Sequence, residues 1–212
     1  NIGPNKDTQN KIEDFEKCLS QAHVFANYIT VNISSPNTSG LRDFEEKDSM
    51  NKLLESINKL RKNKNIKKPI LIKLSPDINE KDVSDIMEII TRYEIDGIII
   101  SNTTNANREK LLDIKKNEEG GLSGKPLKSI STEMIKKFYK ESNKKISIIG
   151  VGGVDSGQSA FEKIVSGASV VQLYTGMVYK GPSIVKEIKK ELISILNREG
   201  IKNIKEAVGI KA

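Results

Sequence analysis

A single cysteine, Cys18, rules out an intrachain disulfide and a cysteine-based zinc cluster. It falls on a helix-periodic segment with Ile12, Phe15, Leu19, Ala22 and Ala26, which reads as a core or boundary position. A single histidine, His23, in the helical stretch before the first strand, leaves no Ser-His-Asp triad and no histidine metal site. No apolar run approaches the roughly 18 residues that a membrane helix needs, and the opening residues carry no signal-peptide pattern. Aromatic residues are only 5% of the chain, and its basic residues are spread along amphipathic stretches such as "ESINKLRKNKNIKK" and "KGPSIVKEIKKELISIL". A nucleic-acid binder more often clusters its cations and interleaves aromatics. The net charge of +7 therefore reads as a solvated lysine-rich surface, with no nucleic acid as partner.

What is present is a repeated strand–helix pattern. Five short apolar runs bounded by turn residues read as buried parallel strands: 28–34 (YITVNIS), 69–75 (PILIKLS), 96–102 (DGIIISN), 146–152 (ISIIGVG) and 169–175 (SVVQLYT). Helical patterns occupy 11–26, 48–62, 79–93, 131–141, 155–166 and 183–198, with a short one at 202–208. Asp155 and Gln158 are spaced as a capping box for the fifth of these. The stretch 61–68 (RKNKNIKK) reads as a helix end and loop, where an insertion or a removed segment is best tolerated.

This alternation predicts an α/β class with a parallel sheet. A doubly wound sheet usually carries a glycine fingerprint after its first strand. Here the glycines fall late, at Gly150, Gly152, Gly153 and Gly176. A (β/α)8 TIM barrel commonly places its phosphate site after strands seven and eight. On that numbering the five runs are strands four to eight, and the opening "NIGPNK", which lacks Met, is the end of strand three. The expectation is a single barrel domain over 1–212, its C-terminal portion, with the N-terminal strands elsewhere in the native protein.

Every strand ends in hydrogen-bonding groups: Asn32, Ser34 and Ser35; Lys73; Ser101, Asn102, Thr103 and Thr104; the glycines of "GVGG"; Tyr174 and Thr175. In a barrel these ends share one rim, where the chemistry lies. Lys73 interrupts an apolar run, and an ammonium there is costly unless it meets an anion or an electron-rich ring. The glycines leave backbone N–H groups open, and a helix starting near Asp155 would point its positive end at a phosphate. The loop 118–128 (EEGGLSGKPLK) reads equally as a lid or as a phosphate loop. Ser35 without a histidine is a weak nucleophile, but it can take a proton while a hydride leaves the neighbouring carbon.

The motifs "VNISSPNTSGLR", "LIKLSPD", "IISNTT", "GGLSGKPL", "GVGGVDSGQSAFEKI" and "VQLYT" together resemble the class 2 dihydroorotate dehydrogenase family, over essentially Asn1 to Gly209. The resemblance implies an FMN enzyme of pyrimidine biosynthesis that oxidises dihydroorotate to orotate and passes electrons to a quinone. By motif, Ser35 matches the catalytic base, where class 1 enzymes carry cysteine, and Thr38 matches the threonine of the proton relay. Asn32, Asn37, Asn102 and Thr103 match contacts to the orotate ring. Lys73 matches the lysine beside the flavin N1 and C2 carbonyl. Asn1, Asn32 and Ser101 match further flavin contacts, and Ser123, Gly124, Gly152, Gly153, Tyr174 and Thr175 match positions that hold ribityl and phosphate. The resemblance also implies a membrane surface reached through an upstream segment: the mitochondrial inner membrane in a eukaryote, the cytoplasmic membrane in a bacterium. Other readings are a different FMN barrel acting on dihydropyrimidine or dihydrouridine, a cofactor-free sugar-phosphate barrel, and a basic nucleic-acid-binding module.

Overall fold

The computed structural model describes residues 1–106 and 108–212. Its five parallel strands are β1 (Ile29–Asn32), β2 (Ile70–Leu74), β3 (Gly97–Ile100), β4 (Ser147–Val151) and β5 (Val170–Gln172), hydrogen-bonded in the order β1-β2-β3-β4-β5. Each lies inside one of the five predicted runs. The order bears out the barrel expectation against the doubly wound alternative. A doubly wound sheet reverses its strand order at a switch point, whereas here every crossover adds the next strand on the same side. The sheet also curls: Gln172 on β5 donates to the Tyr28 hydroxyl beside β1 at 3.2 Å, linking its two outer strands. The architecture is the α/β arc of a (β/α)8 barrel, its C-terminal portion. Ile2 adds a parallel bridge outside β1, with Ile2 N–H on the Thr30 carbonyl at 2.8 Å and Asn32 N–H on the Ile2 carbonyl at 3.0 Å.

The helices are α1 (Lys11–Ala22), α2 (Lys47–Asn63), α3 (Val83–Arg92), α4 (Lys128–Glu141), α5 (Gly157–Val165), α6 (Thr175–Lys180), α7 (Ile184–Arg198) and α8 (Ile204–Ala207). The six-residue α6 was not foreseen, because "TGMVYK" is too short to show a helical period. The α5 cap also differs from expectation. Ser156, not Asp155, is the N-cap and exchanges bonds with Ser159, while Gln158 reaches forward to Glu162 at 3.3 Å.

Strand side chains alternate between two faces. Ile29, Val31, Ile33, Ile70, Ile72, Leu74, Ile98, Ile100 and Ile148 belong to the main core with Phe15, Leu19, Met50, Leu54, Ile86, Ile90 and Phe138 from the helices. Cys18 packs against this core, partly buried, as its helical position predicts. The other face, towards the inside of the curl, carries Thr30 and Asn32 on β1, and Leu71 and Lys73 on β2. Asn32 and Lys73 are register partners, so period-two alternation alone sets an amide and an ammonium side by side on the inner face, at the C-terminal end of the sheet.

Candidate active site at the strand ends

The first rim residues form a closed network. The Asn32 side-chain oxygen accepts from Ser34 Oγ at 3.2 Å and from Asn102 Nδ2 at 3.2 Å, and Asn102 Nδ2 also reaches Ser34 Oγ at 3.1 Å. Asn102 Oδ1 accepts from the Thr103 N–H at 2.8 Å. Ser34 is fully buried and engaged in this network. Ser35 is its half-buried neighbour, and its Oγ accepts the Asn37 N–H at 3.3 Å. The two serines thus divide: one fastens β1 to β3, and the other heads a turn.

A second network, which the sequence reading missed, supports that turn from below. Arg42 donates to the Ser34 carbonyl at 3.2 Å, to the Thr103 carbonyl at 2.9 Å and to Asp77 at 2.9 Å. Asp77 in turn accepts from the Thr104 hydroxyl and from the Asn105 N–H. One guanidinium therefore ties together the loops after β1, β2 and β3. Its fork suits three divergent acceptors. Beside it, Glu45 accepts the Ser75 N–H at 2.5 Å. Burial pushes the Glu45 carboxyl up to about 7, against the pull of the Ser75 N–H and Arg42.

Next to these networks lies a cavity of about 450 Å³. Its lining includes Lys73, Ser101, Asn102 and Thr103 together with Ser123, Gly124, Gly152, Gly153, Tyr174 and Thr175. Lys73 has no hydrogen-bond or ion-pair partner among the described residues, and burial lowers its pKa. Thr175 donates to Ser123 at 2.9 Å in the cavity wall. Gly153 has φ +70, and a Cβ there would stand 2.6 Å from Lys128 Cβ and 2.9 Å from the Gly124 carbonyl, so the backbone itself forms the wall. A second cavity of about 740 Å³, lined largely by residues between 108 and 126, shares Ser123, Gly124, Gly153 and Thr175 with the first.

The glycine loop before residue 125 is held in place. Leu122 and Thr104 exchange backbone bonds of 2.7 and 3.1 Å, and Arg108 donates to the carbonyls of Lys116, Glu118 and Gly120. A Cβ on Gly121 would lie 1.8 Å from Thr103 Oγ1 and 2.9 Å from Pro36, so only glycine lets this loop close over the rim.

Some expected site residues stand apart from the cavity. Asn37 lines a shallow neighbouring groove with Pro36 and Gly120. Ser35 and Thr38 sit in the turn beside that groove and do not line the cavity, which they adjoin through Ser34 and Asn102. Asn1 is exposed at the outer edge of β1 and also does not line it. The N-terminus of α5 is not open to a ligand either. The Gly157 N–H is taken by Glu191, and those of Asp155 and Ser156 by Ser159. The open donors lie around the glycine turn, since the N–H groups of Gly124 and Gly153 have no backbone acceptor among the described residues.

Comparison with known proteins follows this geometry. The family model for dihydroorotate dehydrogenase matches residues 1–196. The chain is 46% identical over 210 residues to a dihydroorotate dehydrogenase (quinone) of Bartonella tribocorum, covering 97% of this chain and 58% of that protein. It is 44% identical to the protein of the same name from Christiangramia forsetii, covering 91% of this chain and 57% of that one. A crystal structure of the Eimeria tenella enzyme in complex with ferulenol superposes with a TM-score of 0.95 at 34% identity, over 99% of this chain and 60% of that one. The chain thus spans somewhat over half the length of the relatives it matches.

Proposed function

The chain belongs to the dihydroorotate dehydrogenase family, and from that premise we propose that the protein oxidises dihydroorotate to orotate with a bound FMN and passes the electrons to a quinone, as a step of pyrimidine biosynthesis. The observation that carries this reading is Lys73, a desolvated ammonium without an anionic partner among the described residues, in the same cavity as the glycine turn. FMN needs a cation at its ring and open amides at its phosphate, and the lining of this cavity holds both Lys73 and the glycine turn. Ser123, Gly124, Gly152, Gly153, Tyr174 and Thr175 would hold the ribityl and phosphate, and Lys73 and Ser101 the ring, with Asn32 beside them through its bond to Asn102. When bound, FMN supplies the hydride acceptor.

The remaining work falls to this chain's side chains. Asn32, Asn37, Asn102 and Thr103 bind and orient the flat, amide-rich substrate, because paired amide and hydroxyl groups match its donors and acceptors. Ser35 takes the proton from C5 of dihydroorotate. Without a histidine to hold that proton, it leaves through hydroxyl groups, with Thr38 as the next in the turn. The Arg42 tie keeps the Ser35 turn and Thr103 at a fixed separation, which orientation-dependent chemistry requires. Reduction of a lipid-dissolved quinone places the protein at a membrane surface, the mitochondrial inner membrane in a eukaryote or the cytoplasmic membrane in a bacterium. Among the described residues no helix is long and apolar enough to cross a membrane.

The test is anaerobic mixing of the intact, yellow protein with dihydroorotate. Flavin absorbance should bleach in one fast phase, and in Ser35→Ala the bleach should slow by roughly 10²–10⁴-fold with flavin still bound. A colourless protein that binds RNA tightly and salt-sensitively would support a basic binding module instead.

A further inference from the structure

Lys163 on α5 is wholly enclosed, with 0% of its surface exposed. Its ammonium donates to Ser131 Oγ and Thr132 Oγ1, each at 3.1 Å, and to the Lys128 carbonyl at 3.4 Å. All three acceptors are neutral. Among the described residues no carboxylate lies within ion-pair distance of it, and the adjacent Glu162 pairs with Lys128 at 3.0 Å instead. Burial holds the Lys163 pKa down at about 7, with Lys128 adding to the effect and Glu162 opposing it. A satisfied but uncompensated buried charge is expensive and calls for a counter-charge.

In front of Lys163 stands the glycine turn. Ser131, which accepts from Lys163, donates to the Val151 carbonyl, and that same carbonyl accepts the Ser101 N–H at 3.1 Å. A trans peptide holds a carbonyl and the next N–H on opposite sides. Anchoring the Val151 carbonyl therefore fixes the plane of the Val151–Gly152 peptide, from which the glycine turn starts. A Cβ on Gly152 would meet Leu127 at 3.0 Å and Ser131 at 3.1 Å, so the turn is seated directly on Ser131. Gly152 lines the cavity.

We propose that Lys163 is a positioning residue for the phosphate of the cofactor: a buried cation that, through Ser131 and the Val151 carbonyl, fixes the Gly152–Gly153 turn at the cavity wall and supplies positive charge behind it. The inference rests on the FMN reading above and concerns the preference for a phosphorylated over an unphosphorylated flavin. The incoming phosphate is the counter-charge that the protein itself lacks.

The experiment compares the affinity of the intact apoprotein for FMN and for riboflavin in wild type, Lys163→Met, Lys163→Gln and Ser131→Ala. Loss of the cation should weaken FMN by about ten- to a hundredfold while riboflavin changes by less than about threefold, as expected of a unit charge acting through a low-dielectric wall. Ser131→Ala keeps the charge, removes the link, and should shift FMN in the same direction by a smaller factor. Equal losses for both flavins would mean that Lys163 only supports the fold, and unchanged FMN affinity in all three variants would likewise overturn the proposal. If wild type binds neither flavin, the cofactor reading fails first, and this inference with it.

Discussion

Lys73 shows how one residue can trade stability for chemistry. It stands on the inner face of β2 beside Asn32, desolvated and without an anionic partner among the described residues. Lys73→Met keeps the length and apolar stem of the side chain and removes the charge. The apoprotein should then melt a few degrees higher, because a buried, unpaired ammonium opposes folding. Flavin reduction should slow, and the midpoint potential of the bound flavin should fall by about 30 mV, equivalent to 1.4 kcal/mol for two electrons. Calorimetry and a redox titration read the two effects. A variant with an unchanged potential would remove Lys73 from the site. The residue was legible in the sequence because a lysine inside "PILIKLS" breaks an otherwise apolar run. Arg42 and Lys163 were not, because their partners, carbonyls, hydroxyls and the Asp77 carboxylate, lie 8 to 61 residues away, which no local pattern encodes.

At the scale of elements, the 3-10 turn Arg42–Glu45 acts as a clamp: Arg42 faces the loops after β1 and β3, and Glu45 holds the Ser75 N–H after β2. Glu45 makes the clamp pH-dependent. Its folded pKa is raised from 4.5 to about 7, so the folded state binds the proton more tightly than the unfolded chain does. The stability from this group is complete below about pH 4.5 and is lost as pH rises through 7. Glu45→Gln retains an acceptor for Ser75 and no longer titrates. It should exceed wild type by on the order of 1–2 kcal/mol at pH 8 and lose that advantage near pH 5. Parallel melting curves for the two proteins across that range would refute the assignment. The elements themselves were foreseen in kind, while their ends were not. Ser156 wins the α5 cap over Asp155 because its hydroxyl and that of Ser159 can each serve the other's backbone N–H, a reciprocity that Asp155 with Gln158 does not form here.

For the whole molecule, the decisive feature is an open, curled sheet. The outer edge of β5 has no strand partner among the described residues. Val170 on that strand is 56% exposed, and Phe25, just before β1, is 91% exposed. Unpaired strand edges beside apolar surface drive association. Residues 1–212 expressed alone should therefore self-associate and bind a hydrophobic dye. Supplying the N-terminal portion of a dihydroorotate dehydrogenase as a second chain should suppress both. Sedimentation and dye fluorescence check this, and a dye-silent monomer would contradict it.

The sequence by itself determined the α/β class, the five strands, the polar strand ends and the family, because these rest on local periodicity and contiguous motifs that act over a few residues. The barrel was expected from the late glycines and the motifs; only the tertiary structure assigned Ser34 and Ser35 to different tasks and set Arg42 and Lys163 behind the rim. Those outcomes depend on which strands become neighbours and on where buried donors find acceptors, and both are settled by packing between segments far apart in the chain.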